Sequence, residues 1–128
     1  MNGLGPHLPN PAPIDAYGNG GFRFAGMSHR GSLLCLPSGV WASPVASAGE
    51  IDETALALAL NPATPDATVD HFLIGGGKDF PVMPPSLRNA FRARRIALEV
   101  MTTGAAVRTY NILLGERRRI GALLVAVD

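Results

Sequence analysis

The sequence predicts a three-layer α/β domain, a β/β/α arrangement with a mixed central sheet, helices on one face and antiparallel hairpins on the other. Three observations predict it. From Asp70 to Asp128 apolar runs of strand character alternate with runs of helical period, a pattern that builds a sheet with helices packed on it. Residues 14 to 45 are short apolar runs broken by Gly and Pro at close spacing, the signature of antiparallel hairpins. The run from Ile120 to Val127 is apolar without alternation, so it is expected to be a central strand covered on both faces.

Residues 1–13 are rich in Gly, Pro and Asn without periodicity. They read as a disordered tail, which leaves one domain over 14–128. Ile14 to Tyr17 reads as a short strand, ended by Gly18-Asn19-Gly20-Gly21. Phe22 and Phe24 flank Arg23 in strand alternation. Gly26 to Ser32 reads as a connection. Leu33 to Leu36 is the next apolar run, stopped by Pro37-Ser38-Gly39, and Val40-Trp41 opens another short element. In Glu50 to Leu60 the leucines at 56, 58 and 60 alternate as in a strand. Ala and Leu are nevertheless strong helix formers, and Asp52 suits a first-turn cap. A short helix ending at Asn61-Pro62 is expected, then a loop to Thr68.

The C-terminal half is better marked. A strand over Asp70 to Gly75 closes at Gly75-Gly76-Gly77. Pro84 to Arg95 is expected to be helical, with Pro85 in the first turn, where a missing N–H is tolerated. On that helix Leu87, Ala90 and Phe91 share one face, and Arg88, Arg92 and Arg95 share another. Ile96 to Thr102 reads as extended, with Ile96, Leu98 and Val100 on one side and Glu99 on the other, and is placed next to the final strand. Gly104 to Gly115 is a second helix. Its stripe of Val107, Tyr110 and Leu114, with Ala106 and Leu113 beside it, predicts deeper packing.

Composition bounds the function. Nearly half of the 128 residues are apolar and 16% are charged, a globular balance. The only cysteine is Cys35, so there is no internal disulfide and no cysteine zinc site. That fits a reducing, cytoplasmic compartment. The longest apolar run falls far short of the about 20 residues that cross a bilayer. The N-terminus has neither a secretory pattern nor an Arg-rich presequence. Net charge is +1, divided unevenly. Residues 1–69 carry two arginines against five carboxylates, a net of −3, and residues 70–128 carry nine basic against five acidic groups, a net of +4. Such a dipole steers partners.

Two turns invite an anion-site reading. Gly75-Gly76-Gly77-Lys78 offers backbone N–H groups. It is not a Walker A loop, because Phe72 stands at the first Gly and Asp79 at the Ser/Thr, and Phe80 breaks GxGxxG. Thr102-Thr103-Gly104 opens a helix, with Arg108 one turn in. With parallel strands, Gly76, Gly77, Lys78, Thr102, Thr103, Gly104 and Arg108 would meet at one sheet edge. The weightier structural reading is a tight glycine turn, a Thr cap, and an Arg108 paired with Glu99 or a carbonyl. Cys35 with His29 or His71 lacks a third catalytic group, so an inert buried thiol is expected. The histidines have no metal-ligand spacing, and no cofactor is expected. Arginines 88, 92, 94 and 95 and 117 to 119 are not interleaved with aromatics, which argues against nucleic acid. They read as a solvated helix face and a basic turn, or as a surface for an acidic protein partner or anionic lipid headgroups.

Several stretches together resemble a known family. They are Tyr17 with Gly21-Phe22, Gly26, Leu36-Pro37 with Trp41, and Phe72 through Gly77. The most distinctive is Met101-Thr102-Thr103-Gly104-Ala105-Ala106-Val107-Arg108-Thr109-Tyr110-Asn111, followed by Glu116 and Ile120-Gly121-Ala122. They resemble the small domain-of-unknown-function family that includes the mitochondrial respiratory complex I assembly factor three. The resemblance implies a three-layer β/β/α fold with a mixed central sheet, and no catalytic residues. For mitochondrial members it implies assistance in assembling NADH:ubiquinone oxidoreductase. The missing presequence points to a prokaryotic relative. The leading expectation is a non-enzymatic protein-interaction domain, cytoplasmic or peripheral to the inner membrane. Its partner face would combine Arg88, Arg92 and Arg95 with apolar surface near Trp41, and its partner would be a membrane complex or its subunits. A homo-oligomer is compatible with the sequence. The alternative is a small-molecule or anion-binding domain using the Gly75–Lys78 and Thr102–Arg108 turns.

Overall fold

Eight strands and three α-helices organise the residues that the computed structural model describes, 8–62 and 64–128. Strands β1 (Ile14–Gly18), β2 (Gly21–Phe24) and β3 (Met27–Arg30) form an antiparallel sheet in that order. Strands β4 (Ser32–Leu36), β5 (Gly39–Ser43), β6 (His71–Gly75), β7 (Ala97–Met101) and β8 (Ile120–Leu124) form the central sheet, ordered β5-β4-β8-β6-β7. The sheet is mixed, because β4 runs antiparallel to β5 and β8 whereas β6 runs parallel to β7 and β8. The helices are α1 (Ala57–Leu60), α2 (Pro85–Ala93) and α3 (Thr103–Gly115), with short 3-10 turns at Ala48–Glu50 and Pro65–Ala67.

The expected α/β class holds, with a mixed central sheet and a small antiparallel sheet against one of its faces. Alternation along the strands sorts the core into two halves. On one face Leu34, Leu36, Phe72, Ile74 and Leu123 pack under Leu56, Leu60, Leu87 and Phe91 from the α1 and α2 region. The rings of Phe72 and Phe91 stack there with centroids 5.2 Å apart. On the other face Leu33, Cys35, Leu73, Ile120, Ala122 and Leu124 meet Phe22 and Phe24 of the small sheet. Strand β8 is buried throughout, as its unbroken apolar run required.

The structure corrects several particulars. Helix α3 does not lie with α2. It packs beside the small sheet, where Ala106, Val107 and Tyr110 join Phe22 and Phe24. The cause is strand order. The chain steps outward from β6 to β7, then back past β6 to β8, so β7 is not the neighbour of β8. Right-handed crossovers made in opposite directions put their helices on opposite faces. Strands β4 and β5 join the central sheet instead of covering it. The stretch expected to be a connection, Gly26 to Ser32, holds β3, whose pairing with β2 is set by backbone hydrogen bonding and not by an apolar pattern. Of the expected tail, residues 1–7 lie outside the described residues. Leu8 already pairs with Val40 and Ala12 is buried.

Gly75 lets α3 approach the sheet. A Cβ there would sit 2.8 Å from the Ala106 Cβ and 2.9 Å from the Thr103 Cα, closer than packed carbons tolerate.

Phe91 is fully buried against Phe72. Phe91→Ala is expected to destabilise the fold by about 3–5 kcal/mol, read from the midpoint of urea unfolding.

Candidate functional site

The C-terminal ends of β6 and β7 form the place where the two crossovers leave for opposite faces. In open α/β sheets that is where ligands bind. The sequence brings Gly75-Gly76-Gly77 to one side of it and Thr102-Thr103-Gly104 to the other, and the structure does join them. The join is a closed clasp. The Thr103 hydroxyl, fully buried, donates toward Val125 O at 2.7 Å with Gly75 O at 3.1 Å, and accepts from the Gly77 N–H at 3.0 Å. The Thr103 N–H donates to Gly77 O at 2.9 Å and the Gly76 N–H to Met101 O at 2.9 Å. Thr102 caps α3 by accepting from the Ala105 N–H at 3.3 Å, and Tyr17 lies over Gly104, its hydroxyl 2.4 Å from where a Cβ would stand. The donors of Gly76 and Gly77 therefore serve the fold. Lys78 and Arg108 stand exposed at the rim. Arg108 does not take Glu99 as its partner, because Glu99 pairs with His71 across the β6–β7 ladder.

The arginine face expected from helical spacing is real. Arg88, Arg92 and Arg95 line a groove of about 330 Å³ whose remaining walls are Ile96, Ala97 and Leu98. Arg94 has another task. Its guanidinium reaches Leu60 O at 2.7 Å and Ala90 O at 2.8 Å, fastening α2 to the end of α1. Trp41 does not belong to this face. It sits on β5, separated from β7 by β4, β8 and β6, and lines a second groove with Glu50, Asp52 and Leu58.

Sequence reasoning missed two surface features. The loop after β6 buries Pro81 and Met83 but holds Phe80 69% and Val82 89% exposed. The run Phe80-Pro81-Val82-Met83 is apolar throughout, so nothing in the sequence separates the exposed pair from the buried one. Tyr17, Arg23, Ser28 and Arg30 line a further cavity on the small sheet, which no local pattern announces.

Cys35 is fully buried in β4. Burial pushes its thiol up to about 12, moderated by the Tyr110 hydroxyl beside it. The Tyr110 phenol is raised for the same reason, by burial first and by Cys35 second. Its hydroxyl finds no hydrogen bond of regular geometry. A thiol held neutral in an apolar layer is no nucleophile. Among the described residues no group of His, Cys, Asp or Glu side chains is arranged to hold a metal, and no helix is long and apolar enough to cross a membrane.

Comparison with known proteins adds four findings. Residues 14–125 match the family described as protein of unknown function, DUF498/DUF598. An uncharacterised protein of Rhodobacter capsulatus is 38% identical over 120 residues, covering 94% of this chain and 89% of the relative. A Mus musculus protein named NADH dehydrogenase (ubiquinone) 1 alpha subcomplex assembly factor 3 is 32% identical over 120 residues. The match takes in 92% of this chain and 62% of the mouse protein, so this chain spans less than two thirds of that relative. Among solved structures, a Bartonella henselae protein described as an outer membrane protein superposes with a TM-score of 0.88 at 44% identity, over 95% of this chain and all of that one.

Thr103→Val keeps the shape but orphans the Gly77 N–H and the Val125 carbonyl, and is expected to cost about 2–4 kcal/mol. Thr103→Ser should stay within about 1 kcal/mol of the parent, both read by chemical denaturation. Cys35 ionises near 9.0 when unfolded and only near 12 when folded. Between those values the unfolded state binds fewer protons, so stability is complete below pH 9 and falls as pH rises, by up to about 1.4 kcal/mol per pH unit. Tyr110 adds to the loss at its alkaline end. Cys35→Ala should flatten the first part of that slope, and native Cys35 should resist thiol reagents at pH 8 until denaturant is added.

Proposed function

The chain belongs to the DUF498/DUF598 family, and from that membership we propose that it is a non-enzymatic protein-interaction domain that assists assembly of a membrane respiratory complex. The observation that carries this reading is the loop after β6. Pro81 and Met83 anchor it while Phe80 and Val82 are held out into solvent. Large apolar side chains kept exposed on a fastened loop favour contact with another protein. The arginine groove of Arg88, Arg92 and Arg95 supplies a charged counterpart on a separate part of the surface. The assembly-factor name borne by the mouse relative supports the choice of partner. The crevice between β6 and β7 leaves the contact to the outer surface, because the Gly76 and Gly77 donors are engaged in closing the fold. The domain would work in the cytoplasm, at the inner face of the membrane that holds the complex.

Deleting the gene in the native host is expected to lower the amount of fully assembled NADH:ubiquinone oxidoreductase in membranes, measured by in-gel NADH oxidation. Phe80→Ser with Val82→Ser should fail to restore it while keeping the parent melting temperature. An unchanged level of assembled complex in the deletion strain would reject the assembly role.

A further inference from the structure

We propose that the open edge of β7, with the arginine groove beside it, binds an extended acidic segment of a partner protein as an added strand. The proposal rests on the protein-interaction reading and names the chemistry of one partner.

The backbone supplies the first half of the argument. The Ala97 N–H donates to Asp70 O at 3.0 Å, and Met101 O accepts from the Gly76 N–H at 2.9 Å. Both groups face β6. Successive residues of a strand alternate in the direction of their N–H and C=O groups, so Leu98 and Val100 present theirs to the other side. There β7 is the last strand of the sheet, and among the described residues nothing pairs with it. The opposite edge differs. Leu8 covers β5 by exchanging two hydrogen bonds with Val40, at 3.1 and 2.8 Å. An unpaired edge is a template for another strand.

Charge supplies the second half. Arg88 and Arg92 stand one turn apart on α2, and Arg95 follows the helix end. Their groove has Ile96, Ala97 and Leu98 as its aliphatic wall. Among the described residues none of these three guanidinium groups has an ion pair or hydrogen bond, in contrast to Arg94. The one carboxylate of β7, Glu99, is taken by His71. Arg95 also holds a left-handed backbone, φ 59°, where glycine would be easier. A strand laid along β7 with carboxylates on its α2 side would meet all three cations, and its backbone would satisfy Leu98 and Val100. Pairing of β7 with β7 of a second copy would instead crowd two such clusters together. Single-stranded nucleic acid would find no aromatic platform in this groove.

The test titrates the full chain with a 15-residue peptide alternating Glu and Val, followed by amide NMR and hydrogen exchange. The amides of Leu98 and Val100 should shift and gain exchange protection, whereas those of Ala97 and Glu99 should gain none. Arg92→Glu should weaken binding at least tenfold. Arg95→Gly should weaken it severalfold while holding or raising the melting temperature, which separates lost recognition from lost folding. No shift at millimolar peptide would overturn the proposal and leave the arginines as guards of a bare edge. Equal binding of a Lys-Val peptide would overturn it too. So would tighter binding of a 15-residue oligothymidylate to the same residues, or a dimer in sedimentation whose β7 amides are protected without peptide. The two readings fail separately. If wild-type chain captures subunits of the respiratory complex from membranes and an Arg88→Ala, Arg92→Ala, Arg95→Ala variant captures them equally, the edge proposal falls and the interaction reading stands. If wild type captures none of them while the peptide binds as described, the edge proposal holds and the assembly role falls.

Discussion

A single hydroxyl holds the architecture at its most demanding point. Thr103 begins α3, yet its Oγ1 reaches the last carbonyl of β6, the carbonyl just past β8, and the amide of Gly77. Strands β6 and β8 end side by side there, and the Val125 N–H returns a bond to Gly75 O at 2.8 Å. A parallel sheet leaves the polar groups at its strand ends without ladder partners. Burying them is tolerable only when each is satisfied. One side chain able both to donate and to accept answers three of them. Gly75 makes it possible, because any side chain there would push α3 off the sheet.

The clasp follows from the path of the chain. Two crossovers leave neighbouring strands for opposite faces, which opens a crevice between their ends. Many proteins of this design keep the crevice for a ligand. Here the Gly76 and Gly77 amides are turned inward to Met101 O and Thr103 Oγ1, and Tyr17 from the small sheet lies over Gly104. The small sheet thus does more than shield one face. Through Tyr17, and through Asn111, which exchanges two 2.8 Å bonds with the backbone of Ile14, it is pinned to α3. What stays open lies on the outer surface, the exposed loop of Phe80 and Val82 and the arginines beside β7.

Much of this was legible in residue order. The glycine turns, Pro85 at a helix start, the apolar stripe of α3 and the unbroken run of β8 are local signals, and each has local consequences. The arginine face was legible because 88, 92 and 95 fall together at helical spacing. Its union with Trp41 was not, since that depended on which strands separate β5 from β7. Strand β3 escaped because Met27-Ser28-His29-Arg30 has one apolar residue and is held by its ladder with β2. Phe80 and Val82 escaped because apolar residues in a loop are ordinarily taken to be buried.

By itself the sequence determined the class, the elements other than β3, and which residues of the apolar strands and helices turn toward a core. Those are settled by period, propensity and turn chemistry over a few residues. Tertiary structure alone decided the order β5-β4-β8-β6-β7, the face that α3 covers, and whether the Gly and Thr turns would open to a ligand or close on each other. Those outcomes depend on pairings between residues dozens of positions apart, such as Gly77 with Thr103. The hydrogen bonds that select them form only once the chain has folded back on itself.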